Sequence, residues 1–424
     1  IVMADAVDLY GGFGGWETLR EERSWESRAT IIDGNWYDRP HLLLGSNATV
    51  DGFVFTHGLS NTGTGGIAIT GTSTRVANCL FIDNSGKIGG AIFMLGGMPE
   101  IESCIFVQNQ AEEGGAILAG TDAHPTIRDC LFDNNAADLS GGAIAHGGGD
   151  LFVYRSIFVG NMASTNGGAL RLNGNLNEYI YNSVFVGNHV DSGQGGAVFA
   201  MHAPMTGSTG LSNCTFAFNE SMASTGGGIF AGGPSAYYDW SNLVLRENTP
   251  NGIGTDGVAS VNVRYSSLAA GMTGVTYDDT TCIDETTFYG FPQLSSDDFS
   301  SLTWDLPSWQ TWMNDSPQPL DTVQLGSGFI RFAGGGGSSP WHYIAANPGT
   351  YVVSFWGDWS GAGITPTTDY DVYDFSLHNV TSAAVNTGDD TAWHGEEGEA
   401  AMSRDVLGHY RLETVDMGAY ELQN

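Results

Sequence analysis

Three stretches decide the fold: VANCLFIDNSGKIGGAI at 76–92, IESCIFVQNQAEEGGAI at 101–117 and IRDCLFDNNAADLSGGAI at 127–144. Each holds a phenylalanine three residues ahead of an asparagine, then a Gly-Gly pair leading into Ala-Ile. The pattern extends in both directions. Phe81, Phe106, Phe132, Phe158, Phe185 and Phe216 precede Asn84, Asn109, Asn135, Asn161, Asn188 and Asn219, and Leu245 with Asn248 continues the series. Successive spacings from Phe81 to Leu245 are 25, 26, 26, 27, 31 and 29. Gly-Gly pairs at 89–90, 114–115, 141–142, 167–168, 195–196 and 226–227 keep the same period. Two markers in one register identify a repeat array rather than a single globular core.

The remaining columns describe geometry. Five residues before each ring stands an aliphatic (Val76, Ile101, Ile127, Val153, Ile180, Leu211) and two before it a small residue (Cys79, Cys104, Cys130, Ser156, Ser183, Cys214). Between them lies a mostly polar column: Asn78, Ser103, Asp129, Arg155, Asn182 and Asn213. The small residue and the ring share a strand face at period two, and the aliphatic is out of phase with them. The polar residue therefore marks a bend between two short strands. A coil of this kind buries its apolar face only by stacking on its neighbours about 4.8 Å away. The fold class read from these columns is all-β, a right-handed parallel β-helix (solenoid) of about 10 coils and roughly 50 Å. Phe81, Phe106, Phe132, Phe158, Phe185 and Phe216 are expected to form an internal ring ladder. Asn84, Asn109, Asn135, Asn161, Asn188 and Asn219 are expected to form a hydrogen-bonded ladder at a turn. The cysteine column, which serine also fills, reads as buried packing rather than as disulfides or nucleophiles.

Composition narrows the class. Glycine is 61 of 424 residues, roughly twice the usual share, without the every-third-residue period of collagen. Hydrophobic residues at 41% and aromatics at 11% argue against disorder. The formal net charge is −33, from 47 acidic against 14 basic residues. Such a surface repels nucleic acid and anionic membranes and attracts cations. No apolar run is long enough for a transmembrane segment. Ile1–Val7 leads straight into strand-like sequence, so a processed or truncated start is expected.

Three regions are expected: a β-helix over 1–281, with a short helical excursion near 16–28; a Trp- and Gly-rich β insertion or small domain over 282–370; and a closing segment over 371–424 packed on the helix. Val258–Leu268 is read as a final coil.

The paired FxxN and GGA[ILV] motifs resemble the repeats of chlamydial polymorphic membrane proteins, adhesins with a β-helical passenger. The outer-membrane barrel that ends that family is not matched here. VDLYGGFGGWETLREERSWESRATIIDGN at 7–35, YDFSLHNVTSAAVNTG at 373–388 and VDMGAYE at 415–421 resemble the opening and closing of bacterial secreted β-helix proteins of the choice-of-anchor Q type. That resemblance implies a secreted or surface location and defines no reaction. The segment 282–370 departs from the short link usual there.

Candidate chemistry is sparse. An Arg-x-Lys of the polygalacturonase kind and an HExxH zinc spacing do not occur in the sequence. Arg155 and Arg171 read as ion-pair partners. Asp369, Asp371 and Asp374, and Asp278, Asp279, Asp284 and Glu285, could supply oxygen ligands to Ca²⁺ without forming an EF-hand. No catalytic or cofactor-binding residue is assigned. The expected function is that of a non-enzymatic, extracellular or cell-surface protein acting in adhesion, surface structure or filament assembly. Its expected partners are further copies, stacked end to end, or surface glycans. The alternative is a polysaccharide-active enzyme of lyase or epimerase type, or a carbohydrate-binding module.

Overall fold

The computed structural model describes residues 1–264 and 266, except 26–27, 174–175, 203–208 and 224; beyond them it describes only strand backbones between 267 and 374. Residues 8–264 wind as a parallel solenoid of nine complete turns. A coil runs through four short strands, as in Arg75–Ala77, Leu80–Ile82, Ser85–Gly86 and Ile92–Gly97. Equivalent strands of successive coils pair in parallel and build four sheets, here called first to fourth in that order, of eleven, eleven, seven and nine strands. In-register pairing sets Ile101 on Val76, Phe106 on Phe81 and Ile117 on Ile92.

The coil turns its corners on single left-handed residues. Asn78, Ser103, Asp129, Arg155, Asn182, Asn213 and Asn242 have φ between 44° and 56° and separate the first sheet from the second. Asn and Asp tolerate this region best, which accounts for the polar bias of that column. A second corner falls on the residue before each ladder asparagine (Asp83, Gln108, Asn134, Gly160, Gly187), a position the sequence pattern did not mark. The third is the leading glycine of each Gly-Gly pair. At Gly141, φ is 70° and an added Cβ would lie 2.4 Å from the Ile144 carbonyl oxygen, so only glycine fits.

One continuous core fills the coil. Its axis is a column of rings, Phe55, Phe81, Phe106, Phe132, Phe158, Phe185 and Phe216, with centroids 4.6–5.0 Å apart and planes within 13° of parallel. The separation matches the strand spacing, so the sheet imposes the stacking. Each pair adds about 0.5–1.5 kcal/mol beyond burial. Cys79, Cys104, Cys130 and Cys214 are buried free thiols beside it. Burial pushes the Cys79 and Cys104 thiols up, out of the reactive range.

Two expectations need correction. The stretch expected to form a helical excursion, Trp16–Arg28, contains among its described residues a single 3-10 turn, Arg20–Glu22. Acidic side chains cap successive amides of this stretch: Glu17 accepts from the N–H groups of Gly14, Gly15 and Trp16, and Glu22 from those of Thr18 and Leu19. Nor does the winding stop at Leu268. Strand backbones at Thr276–Tyr277 and Ile283–Asp284 add a further rung to the first and second sheets, without the side-chain markers that reveal the earlier coils.

The chain divides into two compact units, 1–288 with 383–423 and 289–382 with 424. In the second, the described backbones are antiparallel. Gln293–Asp298, Asp369–Asp374, Gly328–Phe332 and His342–Ala346 form one sheet; Thr303–Trp304, Gly349–Ser354 and Thr322–Leu325 form another. The tryptophan side chains of 282–370 and most of the closing segment 371–424 lie outside the described residues.

Candidate functional site

The inside of the solenoid holds most of its organised polar chemistry. At the corner between the second and third sheets, Asn84, Asn109, Asn135, Asn161, Asn188, Asn219 and Asn248 stack as a column. From Asn84 to Asn219 each Nδ2 donates to the Oδ1 of the next asparagine, at 2.9–3.0 Å, and to the carbonyl of the ring residue one coil back. Buried amides with every partner supplied by the chain hold a corner and have no capacity left for a ligand.

A second internal group is chemically unlike the rest. Residues two positions before the aliphatic of the first sheet point inward, and Glu178 and Thr209 occupy that column where Leu151 stands one coil earlier. From the fourth sheet, His146 enters an inward column otherwise filled by Ala119 and Leu172. His202 follows the strand Val198–Met201. Three coils thus bring together one carboxylate, two imidazoles and a hydroxyl. His146 Nδ1 lies 2.7 Å from Glu178 Oε1; His202 Nε2 lies 3.1 Å from Glu178 Oε2 and 2.8 Å from Thr209 Oγ1; Thr209 donates to Glu178 Oε2 at 3.1 Å. Glu178 and His146 are 0% exposed. Burial alone would raise the carboxyl; hydrogen bonds and charge from His146 and His202 outweigh it and hold Glu178 down to about 2. Tyr238 and Trp240 close the group from the next coil, the indole donating to the Thr209 carbonyl at 2.7 Å. The period-two columns contain the signal for this cluster, in polar residues standing where neighbouring coils place aliphatics.

Outside, the first sheet carries alternating charge. Asp51, Arg75, Glu102 and Arg128 link successive coils, with Arg75 2.7 Å from Glu102 and Arg128 3.1 Å from it. At the N-terminal end of this face the excursion folds back over the sheet and encloses a cleft of about 380 Å³ lined by Tyr10, Arg20, Glu21, Arg23, Trp25, Asp51 and Arg75. Arg23 pins the excursion, reaching Asp51 Oδ1 at 2.8 Å and the carbonyls of Gly11 and Asp51. Further along, Phe152, Tyr154, Tyr179 and Tyr181 pack as an outward-facing aromatic cluster.

Arg155 makes a two-pronged contact with Asp129, at 2.7 Å on each prong, and Arg171 pairs with Glu113 across two coils. Among the described residues no group of His, Cys, Asp or Glu has an arrangement suited to a metal ion. The aspartates considered for Ca²⁺ (Asp278, Asp279, Asp284, Asp369, Asp371, Asp374) and Glu285 have side chains outside the described residues. Among the described residues no helix is long and apolar enough to cross a membrane.

Residues 65–249 match the family model of the right-handed β-helix region, which agrees with the parallel winding and gives its hand. No curated protein and no solved structure matches the chain significantly.

Proposed function

We propose that the chain is a non-enzymatic extracellular or cell-surface β-helix protein acting in adhesion, the sealed interior of its coils holding them in register and their outer faces making contact. One observation carries this reading. Inside, the asparagine column and the Glu178 group are tied to the chain itself, whereas the outer face of the first sheet keeps an open cleft walled by guanidinium and aromatic groups. The test is binding of the full chain to a panel of immobilised glycans and to intact cell surfaces. The reading predicts saturable binding without turnover of the glycan; failure to bind any of these surfaces sinks it.

A second reading, a polysaccharide-active enzyme, is favoured by Asp133. This residue stands in an outward column of the second sheet between Val107 and Val159. Burial pushes its carboxyl up to about 7, against the 2.6 Å hydrogen bond donated by Asn134. A carboxyl still protonated near neutrality suits a general acid. Turnover of a polysaccharide, seen as new reducing ends or an unsaturated product and abolished in Asp133→Asn, would establish it. No product across a broad panel would dismiss it.

A further inference from the structure

We infer that the outer face of the second sheet is a docking surface and that its occupant is the chain's own closing segment, residues 383–423. Five successive strands of this sheet read LFI at Leu80–Ile82, IFV at Ile105–Val107, LFD at Leu131–Asp133, IFV at Ile157–Val159 and VFV at Val184–Val186. The phenylalanine of each stacks in the internal ring column, so the residues before and after it point outward. On the first sheet the outward positions carry Arg75, Glu102 and Arg128. Here nine of the ten are aliphatic, and Asp133 is the one ionisable side chain. Strands apolar at every position belong to parallel sheets covered on both faces.

Exposure along the face separates an open part from a covered one. The column before the ring runs in register from Ile31 through Ile105 to Val184 and Val244. Ile31 and Ile105 are 55% and 41% exposed, whereas Val184 is 0% exposed and Val244 is buried too. In the column after the ring, Val159, Val186 and Ala217 are buried. An outward valine in a sheet loses its solvent only beneath something laid across the sheet, so the cover lies over the later coils. Two observations name it. The compact unit that contains the coils also contains 383–423 but not 289–382. That segment repeats apolar pairs at period two, Tyr410 with Leu412, Val415 with Met417 and Tyr420 with Leu422, each pair straddling a charged residue. A second copy seated there would bring another −33 against the same charge, whereas a segment of the same chain arrives at high effective concentration.

Photo-crosslinking of the full chain tests the assignment. Benzoylphenylalanine in place of Leu131 or Ile157, both half-buried in the column before the ring, is expected to join peptides of 383–423 within a single chain, at monomer mass. Val415→Asp combined with Met417→Asp sets two carboxylates in the place of an apolar pair. The double variant is expected to be cleaved by protease within 383–423 about tenfold faster or more, with the circular dichroism of the coils unchanged. Cross-links that reach only 289–382 or a second copy name another occupant and overturn the assignment. So does the absence of any cross-link at either position, and so does cleavage of the double variant at the wild-type rate.

Discussion

Replacing Glu178 by glutamine keeps the side-chain volume and removes one buried charge. Three donors converge on its two carboxylate oxygens: His146 Nδ1 at 2.7 Å, His202 Nε2 at 3.1 Å and Thr209 Oγ1 at 3.1 Å. A glutamine amide has a single acceptor oxygen, so at least one donor meets an NH₂ group in a place without solvent. An unmatched buried donor costs about 1–3 kcal/mol, and removing the charged partner from a buried pair about 3–5 kcal/mol. A loss of about 3 kcal/mol corresponds to roughly hundredfold more frequent opening. Coils in an array open with partial independence, so a single unfolding midpoint would blur the effect. Native-state hydrogen exchange resolves it. Amides of Ile144–His146, Glu178–Tyr181 and Thr209–Ser212 should lose protection in Glu178→Gln, while those around Phe81 should not. The pH dependence supplies an independent check. Glu178 is held at about 2, below its ordinary 4.5, so its contribution is present above 4.5 and lost as pH falls from there towards 2. That linkage is worth about 3 kcal/mol. Wild type and variant should therefore converge in acid. Equal protection at pH 7, or a difference unchanged at pH 2, refutes the reasoning.

Three other outcomes follow from the same structure. Asn135→Ala removes the acceptor of the Asn109 backbone N–H and Nδ2 and a donor to the Phe106 carbonyl; urea unfolding should show a loss of about 2–4 kcal/mol. Gly52→Ala, at φ 83° and against Arg23 and Trp25, should release the excursion, read as faster proteolytic cleavage within 11–29 while the coil spectrum persists. Cys79, Cys104, Cys130 and Cys214 should resist a thiol reagent in the native protein and react on denaturation; rapid native labelling would contradict their burial.

The fold was legible because a solenoid writes each structural column once per coil. Phenylalanine and Gly-Gly recur at a common period, and noise in one coil is corrected by the next. Legibility fell where coils change length. Between Phe158 and Leu245 the spacings reach 27, 31 and 29, and the Glu178 group assembles across those coils. His146 and Glu178 stand 32 residues apart, Glu178 and Thr209 31, with His202 seven residues before Thr209, and no local motif joins the four. Carrying the aliphatic column two residues back would have exposed Glu178 and Thr209 as polar side chains aimed inward. The cleft was hidden for another reason. Trp16–Arg28 has a helical composition, but Glu17 and Glu22 fold it by side-chain capping, which propensity does not register. The rung at Thr276–Tyr277 escaped because the sequence around it repeats neither the FxxN nor the Gly-Gly marker.

The asparagine column has a direction. From Asn84 to Asn219 each Nδ2 donates to the asparagine of the following coil, and the Oδ1 of Asn84 receives the Gly58 N–H at the start of the column. The side-chain dipoles add along the axis and polarise one another. Damage to such a chain is one-sided. Without its side chain, position 135 deprives the N-terminal neighbour, Asn109, of the acceptor for its N–H and one for its Nδ2, while Asn161 keeps the backbone N–H of residue 135 on its own Oδ1. A defect in this column is felt upstream, so the array is electrically and mechanically polar even though its coils repeat.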